Sequence, residues 1–75
     1  MIVKQLNDDW VEVGNMTIKI SAITAVMKPY ENMNNFGCKI GSYFHTIYEV
    51  THEEAMQAYD DVLAICIASG MGRCV

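Results

Sequence analysis

The sequence predicts an α+β fold: an antiparallel sheet of four to five strands packed against one long C-terminal helix. Three observations carry that prediction. Apolar residues recur with a period of two up to about residue 50 and with a period near 3.6 after Thr51. Thr51 and Glu54 have the spacing of a capping box, in which the hydroxyl takes the N3 amide and the carboxylate reaches back to the cap amide. Gly41-Ser42 suits a two-residue turn with glycine first, set between two strand-like runs.

The elements follow in order. Ile2 to Leu6 is a short apolar run ended by the turn cluster Asn7-Asp8-Asp9. Trp10-Val-Glu-Val13 is followed by Gly14-Asn15, another turn signal. Met16 to Ile20 alternates, Ser21-Ala22 marks a kink, and the strand resumes through Ile23 to Met27. Residues 29–35 form a loop, opened by Pro29 and rich in Asn, which tolerates unusual backbone angles. Phe36 to Ile40 and Tyr43 to Val50 complete a hairpin, the second strand rich in aromatic and β-branched residues. If Val50 faces the core to staple the helix junction, alternation sends Phe44, Thr46 and Tyr48 inward with it. Tyr43, His45, Ile47 and Glu49 then lie on the outer face.

The helix is expected over residues 52–69, with Glu53 and Glu54 favoured by the dipole of its first turn and Gly70 ending it in a left-handed conformation. Ala55, Tyr59, Val62, Leu63 and Cys66 share one face; Glu53, Gln57, Asp60, Asp61 and Ala64 share the other. Met56 and Ile67 widen the apolar arc on one flank, and Ala58 and Ile65 on the opposite one. The arc reaches about 200°, twice the roughly 100° stripe that serves one core. Two readings stay open: a well-buried core helix, or a helix with one flank in an interface. Val62 to Ala68 is unbroken and apolar, yet far short of the roughly 20 residues a bilayer span needs.

Composition narrows the class. Residues 1–75 are expected to form one domain, near the lower limit of self-sufficient folding. A net charge of −4, without clustered Lys or Arg, argues against nucleic-acid backbone binding and is too dilute for a DNA mimic. Lys4 follows Ile2-Val3 at once, so no secretory leader is expected; Cys38, Cys66 and Cys74 are an odd set without close pairs. Together these point to free thiols in a reducing cytoplasm. The sequon Asn15-Met16-Thr17 has no consequence there.

No catalytic or metal constellation stands out. Cys38 with His45 or His52 is the one pairing that could form a thiolate–imidazole couple, although a free Cys is commonly a small buried hydrophobe. Zinc needs closely spaced ligand pairs, which the chain lacks. Asp60 and Asp61 diverge on the helix, and Gly70-Met-Gly-Arg-Cys follows a helix where a phosphate loop would precede one. No enzyme activity and no cofactor are expected. Binding is. The candidate residues are Tyr43, His45 and Ile47 on the outer sheet face, Tyr30 and Met33 in the 29–35 loop, Ile65 on the helix flank, and Arg73 in the tail. For Tyr30 and Met33, a recognition tip and an anchor onto the core are both open.

The succession Trp10-Val-Glu-Val, Ile23-Thr-Ala-Val, Cys38-Lys-Ile, Tyr48-Glu-Val and Thr51-His-Glu-Glu-Ala resembles short FlbD-like flagellar proteins. The resemblance implies a strand-rich domain closed by a helix and carries no catalytic residue; the 29–35 loop and the Cys-containing tail depart from it. Small acidic proteins without a catalytic motif are typical of phages and mobile elements. The expected function is a small cytoplasmic, self-associating binding protein, a dimer in the first instance. It would modulate or inhibit a host macromolecule, above all a protein, by occupying its surface. The alternative is an oligomer that binds a small ligand or nucleotide in pockets between subunits. No membrane or nucleic-acid partner is expected.

Overall fold

The computed structural model describes residues 3–70. Strands β1 (Val3–Gln5), β2 (Trp10–Val13) and β3 (Met16–Lys19) form one antiparallel sheet in the order β1-β2-β3. Strands β4 (Ile23–Met27), β5 (Asn35–Ile40) and β6 (Tyr43–Tyr48) form a second, in the order β4-β5-β6. Helix α1 (His52–Ala68) closes the fold. The α+β class and the C-terminal helix are as expected, but the strands divide into two three-stranded sheets instead of one sheet of four to five.

The division has a local cause. The Ser21-Ala22 kink is a full turn of 3-10 helix over Ile20–Ala22. It swings the chain so that β4 leaves β3 and pairs with β5. Backbone bonds fasten the corner: the Ile20 amide donates to the Asp9 carbonyl at 2.8 Å, and the Gly41 amide to the Ala22 carbonyl at 2.8 Å. Gly41, at φ 60°, occupies the first position of the β5–β6 turn, a conformation that favours glycine.

The core is shared by all three layers. Val11, Val13, Ile18 and Ile20 come from the first sheet and its corner, Ile23, Phe36, Cys38 and Ile47 from the second, and Ala58, Val62 and Cys66 from α1. The helix starts as its sequence signals require. Thr51 is extended, its hydroxyl oxygen accepts the Glu54 amide at 3.1 Å, and the same hydroxyl lies 3.2 Å from a Glu54 carboxylate oxygen. The carboxylate thus meets the cap hydroxyl instead of the cap amide. The Ser69 and Gly70 amides bond back to Ile65 and Ile67, and Gly70 has φ 90°.

The staple between Val50 and Ala55 does not form, because Val50 is 84% exposed. With it the expected facing of β6 inverts. Ile47 is only 6% exposed and belongs to the core, while Phe44, Thr46 and Tyr48 point outward. The register explains the inversion: Ile47 lies opposite Phe36, and His45 opposite Cys38, both on the face covered by the helix.

Candidate functional site

The outer face of β4-β5-β6 is assembled from alternate residues. Register places Met27 beside Gly37, Gly37 beside Thr46, Lys39 beside Phe44, and Asn35 beside Tyr48. No helix or strand among the described residues is packed on this side. Phe44 is 52% exposed, Tyr48 66% exposed, and Met27 is exposed too. Phe44 rests on the bare backbone of its neighbour strand. The Phe44 ring lies over Gly37 so closely that a Cβ there would meet the ring at 2.5 Å, with Met27 on the far side at 3.3 Å. Gly37 is thereby buried, with the far end of the Phe44 ring lying over it.

The loop expected over 29–35 ends one residue earlier, at the end of the sheet where Tyr48 sits, since Asn35 is the first residue of β5 and pairs with Tyr48. Its backbone is anchored. The Met33 amide donates to the Tyr30 carbonyl at 3.0 Å, the Asn34 side chain donates to the Glu49 carbonyl at 2.7 Å, and His52 Nδ1 lies 2.8 Å from the Met33 carbonyl. A carbonyl accepts only, so that imidazole nitrogen carries its hydrogen. Pro29 is buried, whereas Tyr30 and Met33 are exposed. The loop is anchored through Pro29 and the backbone, and its two large side chains face solvent.

The remaining candidates separate. Tyr43 shares the inner parity of β6 but lies beyond the core margin and is exposed; its ring stands 6.4 Å from that of half-buried His45. Ile47 is a core residue and offers no surface. Ile65 is half-buried and packs against the core, so the free apolar flank of α1 is the other one, with Ile67 exposed and Met56 and Leu63 half-buried. Arg73 and the rest of the tail after Gly70 lie outside the described residues, as do Cys74 and Ile2. Phe44, Tyr48 and Met27 were missed as surface residues. The sequence held one signal for them, a glycine opposite an aromatic-rich strand, which marks a place where a ring can cover bare backbone.

Cys38 and Cys66 are free thiols, both fully buried. Burial, and secondarily the charge of Cys66 nearby, pushes the Cys38 thiol up to about 11; burial also raises Cys66. An activated nucleophile requires the opposite shift. His45 sits opposite Cys38 in register, but among the described residues no hydrogen bond joins them. No group of three or more His, Cys, Asp or Glu among the described residues could hold a metal ion. A cleft of about 550 Å³ opens between the Asp8-Asp9 turn, Ser21, Thr24 and Ser69. No helix among the described residues is long and apolar enough to cross a membrane.

Compared with known protein families, with characterised proteins and with solved structures, the chain matches none of them. The flagellar resemblance therefore lends it no activity and no partner.

Proposed function

We propose that this chain is a small, non-enzymatic, self-associating binding protein of the reducing cytoplasm, of the kind phages and mobile elements encode. It acts by covering part of the surface of a host macromolecule, above all a protein. One observation carries the reading: a preformed aromatic platform of Phe44, Tyr48 and Met27 on the uncovered face of the second sheet. Exposed aromatic and Met side chains grouped on a rigid element are the composition of interface centres. Lys39 lies beside Phe44 in register and is exposed, so the platform carries a cation on a chain of net charge −4. The partner surface it fits is an apolar patch bordered by carboxylates. Tyr30 and Met33 extend the contact at one end.

The test is capture from host lysate on immobilised protein, in parallel with a Phe44→Ser/Tyr48→Ser double variant whose fold is checked by circular dichroism. A protein retained by the parent and lost by the folded double variant supports the reading; equal retention by both overturns it. A small-ligand role finds its support in the cleft beside Asp8 and Asp9. Those carboxylates repel phosphates, so a cationic or polyhydroxy ligand fits better than a nucleotide. Mass spectrometry of material released by heating the purified protein separates this second reading from the first.

A further inference from the structure

Among the described residues, strand β6 lies at the edge of its sheet and pairs with β5 alone. The two-residue turn closes on the Ile40–Tyr43 pair. In such a hairpin the flanking pair exchanges both hydrogen bonds, and hydrogen-bonded and non-bonded pairs alternate from there. Tyr43, His45 and Ile47 therefore bond to β5, while the amides and carbonyls of Phe44, Thr46 and Tyr48 point to the open edge. Among the described residues nothing hydrogen-bonds to that edge.

The other sheet edges carry features that discourage strand addition. β1 has three residues and contains Lys4; β3 ends on Lys19 and runs straight into the 3-10 turn; β4 has a register shift between Ile23 and Ala25 and is followed by Lys28-Pro29. β6 has none of these. Its six residues, Tyr-Phe-His-Thr-Ile-Tyr, include no Lys, Pro, bulge or carboxylate, and are of high strand propensity.

We propose that the open edge of β6 pairs antiparallel with β6 of a second copy of this chain, about a two-fold axis through Thr46. The occupant follows from the strand's own pattern. A two-fold axis normal to the sheet keeps inner residues opposite inner and outer opposite outer. With the axis at Thr46, Phe44 lies opposite Tyr48 of the second copy and Tyr48 opposite Phe44, so the two outer-face aromatic positions of β6 face aromatic positions across the edge. His45 falls opposite Ile47, and no charged residue of the strand meets a like charge, although each copy carries a net −4. Shifting the axis to His45 sets Phe44 against Thr46 and leaves Tyr48 against the Ser42 turn, which forfeits both aromatic pairs. The product is a six-stranded sheet whose two aromatic platforms run together on one open face. This deepens the self-association in the proposed function and needs no host partner.

Light scattering from about 1 µM to about 1 mM tests it, with two variants. Thr46→Pro deletes an amide that points away from β5, so it is compatible with the hairpin yet blocks the edge. Thr46→Cys in a Cys74→Ser background places two thiols on the axis, with Cα atoms about 5.5 Å apart, within disulfide range. Oxidised glutathione, reduced in the exchange, should then link the copies; Ile67→Cys on the helix should not cross-link. The expected results are a concentration-dependent dimer, a monomeric folded Thr46→Pro, and rapid cross-linking at residue 46. A monomer throughout overturns both the edge and self-association, and leaves partner capture by the platform to its own assay. A dimer that survives in folded Thr46→Pro, or that cross-links no faster at 46 than at 67, overturns the edge while self-association stands. Should Thr46→Pro fail to fold, the cross-linking comparison decides alone.

Discussion

Ile47 and Tyr48 are neighbours on one strand with opposite fates, and truncating each in turn tests which face of β6 is inside. Ile47 is 6% exposed and packed in the core. Its replacement by Ala removes buried carbons and leaves a cavity, which costs about 2–5 kcal/mol. Tyr48 is 66% exposed, so about a third of its surface is withdrawn from water. An aromatic buries roughly 150–250 Å² when fully enclosed; a third of that, at about 25 cal/mol per Å², is about 1–2 kcal/mol. A compact unfolded chain lowers this to about 1 kcal/mol. A domain of this size holds only about 4–11 kcal/mol in all, so Ile47→Ala approaches the limit of stability while Tyr48→Ala does not. Urea and thermal unfolding should show Ile47→Ala losing at least twice as much as Tyr48→Ala. Partner capture should show the reverse order, with Tyr48→Ala the weaker binder. If Tyr48→Ala is the more destabilised of the two, the facing of the strand is inverted and the platform described above is core.

Replacing Thr51 by Ala should cost about 1 kcal/mol by removing the acceptor of the Glu54 amide, lowering the melting temperature by about 4–8 °C. Gly37→Ala should displace the Phe44 ring, whose far end is free to swing, with a small loss of stability; the upfield ring-current shift of the Gly37 α-protons in the parent reports the contact, and ordinary shifts there would remove it. Stability should fall as pH rises from about 9 to about 11, because the folded chain keeps the Cys38 proton that the unfolded chain has released. That contribution is complete below the unfolded thiol value and lost on passing the raised one, so Cys38→Ala should flatten urea midpoints across that window; an unchanged slope in the variant counts against the assignment. Native Cys38 and Cys66 should resist alkylation at neutral pH until unfolding exposes them, and rapid labelling of folded protein would contradict their burial.

Features decided within a few residues were legible in the sequence. The capping box at Thr51 and the glycine after Ser69 bound a helix whose observed limits lie within one residue of those expected, because caps are local hydrogen bonds. The Gly41 turn set the β5–β6 register for the same reason: a two-residue loop leaves no choice of pairing. What failed depended on distant partners. Alternation sorts β6 into two sets of side chains, and nothing local says which set is inside. Phe36 and Cys38 on the neighbouring strand, and the helix lying over them, bring Ile47 inward and leave Phe44 and Tyr48 in solvent. The helix shows the same limit, since its wide apolar arc was evident but only packing chose the Ile65 flank for the core and left Ile67 exposed. Likewise Ser21-Ala22 marked a bend, but only the tertiary bonds of Ile20 to Asp9 and Gly41 to Ala22 turned it into the corner that divides one expected sheet into two. By itself the sequence determined the kind and order of the elements, with bounds within a few residues of those observed; the tertiary structure decided which faces are surface, because burial is a property of pairs of elements and is written in neither one alone.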